Sequence, residues 1–373
     1  MWGERSEMQI KPFQIERYFA RYEFEVPYLL SASDCESLSM QALLEGADPE
    51  ALALWRGLSL GYTDPQGHSL LRQEVARLYQ NVSADEVQVL APEEGIFIAM
   101  HALLEPGDHV IVTFPGYQSL YEIARALGCH VTRWTLQPKG DRWELDLDEL
   151  ERSILLETKL LVVNFPHNPT GYLPTPATWA RIVELARERE LYLFSDEMYA
   201  GLEYEPAQRL PPVCDLYERG ISLSGLSKTL SCPGLRIGWL ATQDRVLRDR
   251  FATLRDYTTI CSSAPSEILA LIALRAREAI VARNLAIIRC NLEVAQRFFD
   301  ANADGFEWRK PQAGSVAFPR LTTGVRVEAF CQDLLERGVM ALPGTVFEFP
   351  GDYFRLGLGR ENLPQALERV SGL

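Results

Sequence analysis

The 373-residue chain carries a net charge of −14, with 47% apolar and 24% charged residues. This is the composition of a globular protein long enough for one large core and a smaller second unit. An acidic balance without a basic arm or stripe argues against nucleic acid or an anionic membrane as partner.

The opening stretch MWGERSEMQIKPFQIERYF lacks the basic-then-apolar layout of a signal peptide, and no uncharged apolar run of about 18 residues marks a spanning helix. Seven scattered cysteines without CxxC spacing read as reduced thiols of a cytoplasmic protein. The five histidines show no HxH or HExxH spacing, so no metal is expected.

Residues 1–60 mix an arm or short helix, a brief extended piece, a turn at 31–37 and a helix into Leu44. Leu70, Leu71, Val75 and Leu78 then have the spacing of an amphipathic helix. From Val87 the alternation is regular. Strands are expected at 87–90, 109–114, 131–136, 160–165, 191–194, 221–223 and 236–241, with helices at 92–104, 117–127, 146–155 and 176–189. Short apolar strands alternating with helices mean βαβ units and a mainly parallel sheet covered on both faces. After Ala241 come helices at 244–257, 265–299, 327–337 and 363–370, with strands at 306–309, 315–319 and 353–358. The expected fold is therefore α/β with a smaller α+β domain. Its divisions are an N-terminal segment 1–45 packing with the small domain, a large domain 46–262, and a small domain 263–373.

Ligands of open parallel sheets bind beyond the carboxyl ends of the strands, and the polar residues gather there. Lys228 is the only charged residue between Arg219 and Arg236, in ISLSGLSKTLSCPGLRIG. An ammonium among small and apolar neighbours is either paired or pushed toward its neutral form, and a neutral amine is what imine chemistry needs. Arg236, after a Pro-Gly turn, is suited to clamping a phosphate. After 160–165 the turn HNPTG projects Asn168 in a fixed direction. After 191–194, Asp196 is an acid that needs a cation if buried. Tyr117, after 109–114, offers an aromatic face. After 87–90 the sequence Ala91-Pro92-Glu93-Glu94-Gly95 opens a helix whose amides suit a phosphate, although Pro92 has no N–H and Glu93 and Glu94 are acidic. Alone, each of these is equally a turn, a cap or a core residue.

Together they resemble the class I/II aminotransferases of the fold-type I pyridoxal-phosphate (PLP) enzymes. The matching pieces are GYTDPQG, FPGY, NFPHNPTG, SDEMY, SGLSKTLSCPGLRIGW and FRLGLG, spanning residues 61–359 in the family's order. The resemblance implies a three-layer PLP-dependent transferase fold and a homodimer acting on amino and keto acids. It implies that Lys228 holds PLP as a Schiff base and moves the substrate proton, with Arg236 and Ser227 on the phosphate. Asp196 would face the pyridine nitrogen, Tyr199 and Asn168 the phenolic oxygen, and Tyr117 the ring. Tyr62 would reach the phosphate in the neighbouring subunit, and Arg355, with Asn168 nearby, would take the substrate carboxylate. Ping-pong transamination follows from these roles; elimination, replacement or cyclisation on the same cofactor, and a non-catalytic sensor, are the alternatives.

Three departures stand out. Gly225 occupies a position where many relatives have Ser. Pro92 and Glu93 replace small residues of the phosphate loop. The segment Ser31-Ala32-Ser33-Asp34-Cys35-Glu36-Ser37 is unusually acidic and is similar to a stretch in capreomycidine-synthase-like members, which cyclise an arginine derivative. Asp34 or Glu36 facing the site would favour a cationic substrate side chain; the other reading is a solvated turn or cap.

Overall fold

Apolar runs too short for helices build the centre of the molecule. In the computed structural model, which describes residues 10–370, they appear as β1 (Val87–Leu90), β2 (His109–Phe114) and β3 (His130–Thr135). After a short hairpin of β4 (Gln137–Lys139) and β5 (Arg142–Glu144) come β6 (Thr158–Asn164), β7 (Tyr192–Asp196), β8 (Gly220–Gly225) and β9 (Gly238–Ala241). The hairpin has no apolar alternation to announce it. Residues 1–9, the start of the stretch read as having no leader layout, lie outside the described residues.

The seven long-range strands form one sheet in the order β1-β9-β8-β7-β6-β2-β3. Pairs β8–β7, β7–β6, β6–β2 and β2–β3 are parallel. Only β9 runs against its neighbours, pairing antiparallel with β1 and β8. Six carboxyl ends therefore share one edge. All the strands of this sheet except the edge strand β3 are largely buried, because helices such as Pro92–Leu103 and Pro176–Glu188 cover the sheet, and Trp134, Trp179 and Trp239 fill the layers.

The pattern expected as one helix over 265–299 is two, Ala264–Arg275 and Arg277–Ala301, meeting at Ala276. The first is buried continuously from Glu267 to Leu274, in a core shared with Leu71 and Val87. The second buries a stripe whose later members Ile288, Leu292, Ala295 and Phe299 join a different core, with Leu334 and Leu356. The apolar spacing, which runs on through Ile280 into the first helix's core, does not reveal the break at Ala276.

The N-terminal segment lies along the small sheet. Gly357 N donates to Leu30 O (2.7 Å), and Ser31 N to Met340 O (3.2 Å). The glycines of FRLGLG permit this approach: a Cβ on Gly357 would stand 2.0 Å from Ala32 O, and one on Gly359 2.5 Å from Asp34 O. Residues 31–36 are thereby carried to the carboxyl edge of the main sheet. Among the described residues no helix is long and apolar enough to cross a membrane.

Candidate active site

The chain leaves β8 at Gly225 and turns Lys228 into a cavity of about 810 Å³ at that shared edge. Its Nζ donates to Ser33 Oγ at 2.8 Å. Burial pushes the amine below its ordinary range; Asp34 opposes this and Arg355 adds to it. Asp196 ends β7, and its carboxylate accepts from Met198 N (3.1 Å). Burial raises this acid to about 6, with Met198 N–H and Lys228 acting against the rise.

Asn164, ending β6, ties the neighbouring strand ends together. Its Nδ2 donates to Asp196 O (2.9 Å), and its Oδ1 accepts from Asn168 N (2.8 Å). Asn168 Oδ1 in turn accepts from Arg355 Nη1 (3.2 Å), while Arg355 Nε donates to Ser31 O (3.0 Å). Arg355 is 2% exposed and has no carboxylate at ion-pair distance among the described residues. Tyr199 Oη is buried and without a hydrogen-bond partner. Arg236 is held in a left-handed conformation (φ 55°) and donates from Nη1 to Pro233 O (3.0 Å).

Across the cavity, Tyr117 donates from its hydroxyl to Glu16 Oε1 (2.9 Å). Glu16 sits on the helix Gln14–Tyr22, which closes this side. Ser119 Oγ donates to Glu93 Oε2 (3.2 Å). Ser227 also lines the cavity. The cavity thus brings together Lys228, Asp196, Tyr199, Asn168, Tyr117, Arg236, Ser227, Glu93 and Arg355.

Glu94 lies elsewhere, and Tyr62, expected in the neighbouring subunit's site, lies outside this chain's own cavity. Glu94 is one helical step from Glu93, so it points away from the cavity and accepts from the Thr259 hydroxyl (2.7 Å) and that of Thr258. Tyr62 is 93% exposed, on the rim of a separate cavity with His68 and Glu267. The acidic segment divides: Asp34 lines the active cavity but pairs with Arg360 (2.7 Å), whereas Glu36 lies outside the lining, also against Arg360 (3.6 Å). Ser33, Glu16, Glu23 and Arg360 also line the cavity and are not singled out by sequence. Within the N-terminal segment the sequence points to Asp34 or Glu36, and of these two Asp34 lines the cavity.

Two departures in sequence are one feature in space. Pro92 packs over the facing pair Gly225 and Gly238: a Cβ on Gly225 would meet Pro92 Cγ at 3.1 Å and Ile237 O at 3.0 Å. There is no room for a side chain under the Pro92 ring. Gly225→Ser is expected to cost about 1–3 kcal/mol through overpacking, read as a lower denaturant midpoint. An unchanged midpoint would mean that the pair is not a packing constraint.

The profile of the family described as aminotransferase class I and II matches residues 29–370. The chain belongs to that family. The aminotransferase is 33% identical to capreomycidine synthase of Streptomyces vinaceus over 74% of its own length and 71% of that protein. It is 30% identical to an aspartate aminotransferase of Thermotoga maritima, over 86% and 85% of the two chains. A PLP-dependent aminotransferase structure from Streptococcus suis superposes with a TM-score of 0.89 at 30% identity, covering 97% and 96%. The fold is that of the PLP-dependent transferases, and pyridoxal phosphate is the cofactor. The residues fit it: a buried tyrosine hydroxyl without a partner, a buried acid and cations free of carboxylates share one cavity. No group of three His, Cys, Asp or Glu residues among those described could hold a metal.

Proposed function

We propose that this aminotransferase moves the amino group of an L-α-amino acid to a keto acid through Lys228, in two half-reactions. Bound PLP supplies an aldehyde that joins an amine and a ring that accepts the electron pair left at Cα. Lys228 Nζ would hold the cofactor, and as a free amine it would take the Cα proton. Burial favours its neutral, basic form. Asp196 keeps the proton on the pyridine nitrogen, while Tyr199 and the Asn168 amide donate to the phenolic oxygen. Tyr117 covers the ring. Arg236, with Ser227, binds the phosphate, and Arg355 orients the substrate by its carboxylate.

The observation carrying this reading is the meeting of the half-buried Lys228 amine with Asp196, Arg236 and Arg355 in one cavity. Borohydride reduction of the PLP-loaded enzyme followed by peptide mapping is expected to place the pyridoxyl mass on Lys228. A label at another lysine, or none, refutes the reading.

A homodimer completing the site with Tyr62 belongs to the proposal, supported by the exposure of Tyr62 and Leu60. A cytoplasmic setting is supported by seven cysteines that are all free. The likeness to capreomycidine synthase favours cyclisation as a second reading. Stoichiometric keto acid from one amine without an acceptor identifies transamination; ammonia or a ring product identifies the alternative.

A further inference from the structure

The charges of the cavity do not balance, and the remainder has a place. Its lining includes the acids Glu16, Glu23, Asp34, Glu93 and Asp196 and the cations Lys228, Arg236, Arg355 and Arg360. Asp34 and Arg360 neutralise one another at 2.7 Å. On the roles proposed above, Asp196 is matched by the pyridine nitrogen, Arg236 by phosphate and Arg355 by the substrate carboxylate. Glu16, Glu23 and Glu93 are left, with no lysine or arginine at ion-pair distance among the described residues.

Glu23 and Glu93 are partly buried, whereas Glu16 is exposed where it lines the cavity and is held there by Tyr117. Tyr117 links two of them: its hydroxyl donates to Glu16, and Glu93 lies close enough to influence it. Burial pushes Glu93 up to about 7, with Ser119 opposing and Glu16 adding to the rise. Burial also raises Glu23, with Asp34 and Glu16 reinforcing the rise and Arg360 and Lys228 opposing it. Neutral hydroxyl donors do not cancel that charge. The same cavity contains Tyr199, 2% exposed, whose hydroxyl has no hydrogen-bond partner, a sign that the cavity is built around a ligand.

We propose that Glu16 and Glu93, with Glu23 behind them, select amino acids whose side chain ends in a cation, a guanidinium or an ammonium. The inference rests on the proposed roles of Lys228 and Arg355. A substrate held by its carboxylate at Arg355 and its reacting carbon at Lys228 directs its side chain toward the remaining wall, where Glu16 accepts from Tyr117 and Glu93 from Ser119. An anionic side chain would meet unpaired carboxylates there, so a dicarboxylic substrate is selected against.

The test uses the PLP-loaded enzyme and ligands without an α-amine, so that calorimetry reads binding and no turnover occurs. 5-Guanidinopentanoate is expected to bind about tenfold or more tightly than 5-ureidopentanoate, its neutral equivalent in shape, with hexanedioate weakest. In the Glu16→Gln, Glu93→Gln double variant the first two should bind within about threefold of each other. Equal binding of the guanidino and ureido ligands to the parent enzyme overturns the proposal, as does a preference that survives in the double variant or failure of all three to bind. If the double variant does not fold, the single Glu16→Gln protein serves, and an undiminished preference there has the same force. Labelling at Lys228 separates the outcomes: label present with no cation preference sinks only this inference, whereas label absent sinks the reading beneath it.

Discussion

Lys228→Ala is expected to lower turnover by at least about 10⁴-fold, the upper end of what one positioned acid–base group contributes, with the fold intact. The side chain has two tasks, holding the cofactor and moving the Cα proton, and alanine performs neither. Its single hydrogen bond goes to Ser33 Oγ, and burial disfavours its charged form, so little native stability depends on it. Lys228→Arg is expected to fail equally: a guanidinium keeps its proton at any working pH and cannot act as base or nucleophile. A steady-state assay beside a denaturant titration checks both. An active Lys228→Ala enzyme would end the mechanism; a variant that is inactive only because it unfolds would show that the lysine is structural.

The parts of this site legible in the sequence are those that lie at strand ends. β2, β6, β7 and β8 are short apolar runs closed by Tyr117, Asn168, Asp196 and Lys228, and a parallel sheet places such ends together whatever the intervening helices do. Arg355 and Asp34 came into view only through the family resemblance, and two further contributions from distant chain were not legible at all. Ser33 meets Lys228 across 195 positions, and Glu16 meets Tyr117 across 101, with no local pattern connecting them. The difference between Glu93 and Glu94 is likewise a matter of helical phase: two adjacent glutamates look alike in a string, yet only one faces the cavity. In the C-terminal part the helices near 327–337 and 363–370 were legible, but the pattern over 265–299 is two helices, and the strands at 320–321 and 342–343 were missed because they are only two residues long, too short for periodicity to show.

Asp196→Asn is expected to separate activity from stability most sharply. Turnover should fall by about 10²–10³-fold, the cost of removing one preorganised charge, because a neutral amide cannot keep the proton on the pyridine nitrogen. The cofactor-free protein should move the opposite way. In the folded chain Asp196 keeps its proton up to about 6, whereas the unfolded chain releases it near 3.8. Between those values the native state binds more protons than the unfolded one, so stability falls as pH rises through the window. Once the acid is fully ionised the penalty is about 3 kcal/mol. Asparagine carries no charge to bury and retains an oxygen for the Met198 N–H. The variant without cofactor should therefore melt a few degrees above the parent at pH 8, with the difference vanishing toward pH 4. Bound cofactor gives the ionised parent a cationic partner and should narrow or reverse the gap. Melting curves at the two pH values, with and without PLP, test each step. A cofactor-free variant less stable than the parent at pH 8 would mean that Asp196 is paired within the protein, leaving it unavailable to the pyridine nitrogen.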